Sequence, residues 1–217
     1  MKSSLLFLLL LCGSVICQGQ DPTRFAEELS KFKNDQGQVD AKDLILFTGS
    51  SSIRLWVEFD SYFPNHNVIN RGFGGSETSD LIHYVNELVL KYQPKQVFIY
   101  EGDNDINSGE KPNAIIKEMK SLLSTIQNEL PGVEIVLISA KPSISRLHLK
   151  KKYLNLNKKL EKLAKKTDGV SYVSIWEVMF DAEGQLIEDI FIEDGLHMNR
   201  QGYDIWIKKI APLLRSQ

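Results

Sequence analysis

Apolar residues along this chain follow two rhythms. Short unbroken runs recur at 44–48, 67–70, 96–100, 134–139 and 170–175. Runs of that length and continuity predict strands buried on both faces. Between them the apolar positions change to helical spacing, over 52–60, 78–92, 112–129 and 147–166, with a last helix near 199–214. A first helix is expected over 21–32, where Asp21 can cap, Pro22 fills the first helical position, and Phe25, Leu29 and Phe32 share one face. Strands that alternate with helices require right-handed crossovers and a parallel sheet covered on both sides. The expected architecture is α/β: a three-layer α/β/α sandwich around a five-stranded parallel sheet, of the flavodoxin-like kind. Such sheets carry their sites at the carboxyl ends of the strands.

The lysine-rich stretch 150–166 does not change this picture. Leu149, Tyr153, Leu156, Leu160 and Leu163 are spaced 4, 3, 4 and 3 apart, which is one buried helical face with the lysines on the solvated one. Over all 217 residues, 26 Lys and Arg stand against 28 Asp and Glu, a formal charge of −2. That balance argues against a nucleic-acid partner or a polybasic membrane surface and toward a small molecule. A hydrophobic fraction of 42% at this length supports a core without disulfides or structural metal.

The first residues read as a leader. Lys2 precedes the apolar run Leu5 to Leu11, and small and polar residues follow, the layout of a secretory signal peptide over 1–19. The run is too short to span a bilayer, so no stable membrane insertion is expected. Bulky Leu11 and Ile16 before Cys12 and Cys17 argue against a lipoprotein anchor. Both cysteines leave with the leader, and the expected working protein is one thiol-free domain over 20–217, secreted or periplasmic. Its oligomeric state is left open.

Several motifs are missing. There is no phosphate-binding G-x-x-x-x-G-K-[ST], no complete G-x-G-x-x-G, no H-E-x-x-H, and Ile53 stands where a G-x-S-x-G elbow needs its second glycine. What remains are four blocks at strand ends: Gly49-Ser50-Ser51-Ser52, Arg71-Gly72-Phe73-Gly74-Gly75, Gly102-Asp103-Asn104-Asp105 and Asp194-Gly195-Leu196-His197. In order and spacing they resemble the four blocks of the SGNH, or GDSL, hydrolases: a G-D-S-like turn, a glycine block, G-x-N-D and D-x-x-H. Among members the chain looks closest to compact single-domain esterases similar to platelet-activating-factor acetylhydrolase catalytic subunits. One departure stands out, because Ser50 occupies the position of the Asp in G-D-S. Alignment on Gly49 makes Ser51 the nucleophile.

The residues themselves support that chemistry. A serine hydroxyl needs a neighbouring base, and His197 can supply one. Asp194, three residues earlier, can hold the imidazole through Nδ1 and leave Nε2 for Ser51. Oxyanion donors are available from the Ser51 and Gly75 backbone N–H groups and from the Asn104 side chain. No metal or cofactor is needed. Each block alone has a plainer reading: helix-capping serines, turn glycines, a helix cap or Asx turn at Asn104 and Asp105, a structural turn at 194–197. Arg54, Lys141 and Ser143 are candidates for substrate contact, with Arg146 in the same loop; a surface turn is the alternative for 141–146. Trp56 is expected in the core. The resemblance implies a carboxylic-ester hydrolase acting on an acylated sugar or lipid; the leader makes it exported, and a short chain with no evident lid insertion leaves an open site suited to short acyl groups such as acetyl. The alternatives are a carbohydrate O-deacetylase, a lysophospholipase, or a non-catalytic member that binds a glycan or lipid.

Overall fold

The computed structural model describes residues 21–216; the expected leader lies outside them. Five strands, β1 (Ile45–Gly49), β2 (Val68–Gly72), β3 (Gln96–Tyr100), β4 (Glu134–Ile138) and β5 (Val170–Val173), form one all-parallel sheet in the order β2-β1-β3-β4-β5. Eight α-helices flank it: α1 (Ala26–Leu29), α2 (Ser51–Arg54), α3 (Thr78–His83), α4 (Val85–Leu88), α5 (Asp103–Ser108), α6 (Pro112–Glu129), α7 (Lys150–Ala164) and α8 (Arg200–Ile210). The pleat sends alternate side chains to opposite faces. Leu46, Val97, Ile99, Ile135 and Leu137 meet α3, α4, α6 and α7, while Ile45, Phe47, Phe98, Val136 and Ile138 meet α2 and α8. The three-layer α/β sandwich expected from the sequence is the fold.

Two predicted helices break up. The 52–60 pattern is helical only to Arg54; Glu58 turns left-handed at φ 53°, and Trp56, Phe59 and Phe63 pack as separate turns against Phe47. The 78–92 pattern divides at Tyr84 and at Val89, whose φ/ψ of −129°/−63° leaves the helical basin. β-branched Val85 and Val89 favour helix only weakly, and both side chains are buried, so packing decides. The first helix is a mixture, with α1 flanked by 3-10 turns at Pro22–Phe25 and Ser30–Phe32 and Asp21 capping Thr23 N–H at 2.9 Å. The fifth strand ends at Val173 rather than at 175. There Ser139 Oγ accepts the Ile175 N–H at 3.0 Å in place of a ladder carbonyl. Helix α5 was expected only as a cap or turn.

In this strand order the direction of winding reverses between β1 and β3, the place where open α/β sheets form their crevice. The turns after β1, β2 and β3 all reach it.

Candidate active site

The β1-to-α2 turn is too tight for a side chain at its corner. Gly49 has φ 122°, and a Cβ there would lie 2.0 Å from the Tyr100 carbonyl oxygen. Ser50 N–H bonds to that same oxygen at 3.1 Å, so the chain enters α2 against β3. Ser50, in the position of the family's Asp, is the N-cap residue but makes no side-chain cap bond. Ser51 opens α2, 8% exposed, and its N–H has no intrahelical acceptor.

The 194–197 turn is built by one carboxylate. Asp194 Oδ1 accepts the N–H groups of Leu196 and His197, each at 2.8 Å, while Oδ2 lies 2.5 Å from His197 Nδ1. His197 Nε2 lies 2.8 Å from Ser51 Oγ. Burial works against the Asp194 charge, but the His197 side chain and the two N–H donors outweigh it, and the carboxyl is held below its ordinary range. An ionised Asp194 fixes the proton on Nδ1, so Nε2 presents its lone pair to the serine hydroxyl.

The remaining blocks arrive from β2 and β3. Gly75, at φ 68° and exposed, directs an N–H that finds no acceptor among the described residues. Its neighbour Gly74 donates to both oxygens of Glu28 at 3.1 Å, and Arg54 pairs with Glu28 at 3.6 Å. Asn104 Nδ2 spends one hydrogen on the Ser76 carbonyl at 2.8 Å, and Arg146 donates to its Oδ1 at 3.0 Å. The amide is therefore oriented from both ends and keeps a second N–H.

The expected substrate contacts divide. Lys141 and Ser143 are 1% and 2% exposed, so neither presents its side chain to solvent. The Lys141 ammonium donates to the Leu196 carbonyl at 2.7 Å and lies 3.7 Å from Asp103, fastening the histidine turn from beneath. Arg54 pairs with Glu28 but keeps 39% of its side-chain surface in solvent, open to a substrate. Trp56 is core, 3% exposed and stacked on Tyr203.

Sequence reasoning passed over Glu28, which gives no signal on a polar helix face, and over the hydrogen bonds that Arg146 makes. Arg146 joins Asn104 to Asp103, 2.6 Å away, which also accepts from the Tyr100 and Tyr153 hydroxyls. Burial opposes the Asp103 charge most strongly, yet Lys141 and Arg146 together keep its carboxyl below the usual range.

The GDSL-like Lipase/Acylhydrolase family pattern matches residues 48–205. A Streptococcus pneumonia structure named for platelet activating factor superposes with a TM-score of 0.79 at 22% identity, covering 88% of this chain and 92% of that one. An acetylxylan esterase from Geobacillus stearothermophilus superposes at 0.66 with 16% identity, over 81% and 97%. An N-acylneuraminate cytidylyltransferase from Escherichia coli O18:K1:H7 is 27% identical over 152 residues, 68% of this chain; the match spans about a third, 35%, of that protein's length. No helix among the described residues is long and apolar enough to cross a membrane. The chain belongs to the GDSL-like lipase/acylhydrolase family.

Proposed function

We propose that this protein is an exported esterase that removes short acyl groups, acetyl foremost, through a Ser51–His197–Asp194 triad. The observation that carries the reading is the unbroken relay from Asp194 Oδ2 to His197 Nδ1 at 2.5 Å and from Nε2 to Ser51 Oγ at 2.8 Å. Ser51 Oγ attacks the ester carbonyl as Nε2 takes its proton, and His197 returns that proton to the departing alcohol. Water then adds to the acyl carbon as the same nitrogen takes its proton, and His197 returns that proton to Ser51 Oγ as the Oγ–acyl bond breaks and the acid leaves. Negative charge on the tetrahedral oxygen meets the N–H groups of Ser51 and Gly75 and the spare N–H of Asn104.

Acetyl preference is supported by the exposure of the site's edges. Asp194 keeps 43% of its side-chain surface in solvent, and Ile144, packed against Gly195, is 41% exposed. A long acyl chain finds little enclosing wall there. The name of the Geobacillus neighbour makes acetylated carbohydrates the first natural substrates to assay. Export rests on the leader pattern at 1–19 followed by one domain over 20–217. Protein sequencing of the mature N-terminus from an extracytoplasmic fraction tests it.

With p-nitrophenyl esters from acetyl to octanoyl, kcat/KM is expected to fall steeply with chain length, and a preference for octanoyl overturns the open-site reading. Asn104→Ala is expected to lower kcat by about 10²–10³-fold, or about 2.7–4 kcal/mol, with KM little changed, because the lost bond forms to the transition state. Initial-rate kinetics on the acetyl ester checks this.

A further inference from the structure

Beside the oxyanion amide lies a buried carboxylate with a cation and a hydroxyl at each of its oxygens. Asp103, 3% exposed, accepts at Oδ1 from Arg146 Nη1 at 2.6 Å and from the Tyr153 hydroxyl at 2.8 Å. Its Oδ2 accepts from the Tyr100 hydroxyl at 2.8 Å and lies 3.7 Å from the Lys141 ammonium. Both cations have a second contact, and each of those reaches the active site. Arg146 Nη2 donates to Asn104 Oδ1 at 3.0 Å, and Lys141 Nζ donates to the carbonyl of Leu196 at 2.7 Å. Leu196 is the residue before His197.

We propose that Asp103 is a positioning residue for the esterase reaction, acting through Arg146 on the Asn104 amide and through Lys141 on the turn that carries His197. The inference rests on the Ser51–His197–Asp194 reading above. An amide can sit two ways round, and here only one of them fits. With the Ser76 carbonyl on one side and a guanidinium on the other, Nδ2 must donate and Oδ1 must accept. The guanidinium also draws electron density from Oδ1, which makes the remaining N–H a stronger donor to an oxyanion. A planar fork is required, since two different nitrogens of one head reach Asp103 and Asn104.

On the other arm, burial holds the Lys141 ammonium below its usual range, and Asp103 is the strongest influence in the opposite direction. The carboxylate thus helps to keep the charge that grips the Leu196 carbonyl. Packing alone does not account for the arrangement. Two cations drawn from water around one carboxylate cost desolvation, and an apolar cluster of the same volume would serve stability as well or better. What the network supplies is a fixed donor and a fixed base, which matter in the transition state more than in substrate binding.

The test uses the whole protein, with initial rates on an acetyl ester and thermal melts alongside. Arg146→Met removes the fork from a side chain that still reaches solvent, 11% exposed, and the fold is expected to hold. Its kcat is expected to fall about 10–10²-fold with KM little changed. Arg146→Lys, with the charge but not the fork, should stay at least about fivefold slow. In the Asn104→Ala protein, Arg146→Met should cost about twofold or less, because the amide it serves is gone. Asp103→Asn should still slow that protein by about fivefold or more, through the arm to His197. Lys141→Gln is the second variant for this arm, with the same expectation. The Asn104 side-chain amide signals of the ¹⁵N-labelled protein, dispersed in the wild type, should move toward free-amide positions in Arg146→Met. Wild-type kcat in Arg146→Met or Arg146→Lys overturns the proposal, as does a loss that multiplies with that of Asn104→Ala. So do unmoved amide signals in Arg146→Met, or no effect of Asp103→Asn and Lys141→Gln on the Asn104→Ala protein. Unchanged hydrolysis in Ser51→Ala would defeat the triad reading and this proposal together; a full loss in Ser51→Ala beside full activity in Arg146→Met defeats this proposal alone.

Discussion

Ser51→Ala is expected to lower kcat on an acetyl ester by about 10⁴-fold or more, leaving the residual rate that an oxyanion hole and binding alone provide. The fold should be untouched. Ser51 Oγ bonds to His197 at the N-terminal end of α2, and the helix start depends on backbone geometry and on Gly49 instead. His197→Ala should match it, and the double variant should be no slower than either single one, because nucleophile and base act as a unit. Initial rates with p-nitrophenyl acetate, alongside thermal melts that show an unchanged Tm, check both statements. Two losses that multiply would mean that serine and histidine act separately.

Asp194→Asn is the second large effect, expected at about 10⁴-fold in kcat with KM little changed. An asparagine can keep the turn, since its Oδ1 still accepts the Leu196 and His197 N–H groups that the carboxylate holds at 2.8 Å. What changes is the proton on the ring. The amide presents N–H to Nδ1, which must then accept, and the hydrogen moves to Nε2, where it faces Ser51 Oγ and cannot take up the serine proton. The carboxyl's depressed pKa adds a pH statement. Asp194 is ionised at every pH above its lowered value, so the orienting interaction is present throughout the neutral range and fails only in strong acid. Rates across pH for the wild type and for Asp194→Asn check this; a variant within tenfold of the wild type at neutral pH would contradict the tautomer argument.

The sheet was legible because central parallel strands need unbroken apolar runs. The expected 96–100 strand coincides with β3, and 134–139 overruns β4 by one residue. The helix over 112–129 was equally plain, with proline at its first position and buried Ile115, Met119, Leu122 and Ile126 on one face. The segments 52–60 and 78–92 misled because the same apolar spacing is satisfied by broken turns when Trp56, Phe59 and Val89 each find a place in the core. Among the site residues, Ser51, Asp194, His197, Gly75 and Asn104 stand in short blocks with local spacing. Glu28, Arg146 and Lys141 do not. Each reaches the site across the fold: Glu28 lies 46 residues from Gly74, Arg146 42 from Asn104 and Lys141 55 from Leu196.

The central claim is that Ser51, and not Ser50 or Ser52, is a nucleophile activated by His197. Incubation with a fluorophosphonate probe followed by peptide mass spectrometry addresses it directly, because the probe reacts only with an activated hydroxyl. The account predicts a single adduct on Ser51 in the wild type, none in Ser51→Ala, and none in His197→Ala. An adduct on Ser50 or Ser52, or labelling of Ser51 that persists without His197, would contradict it.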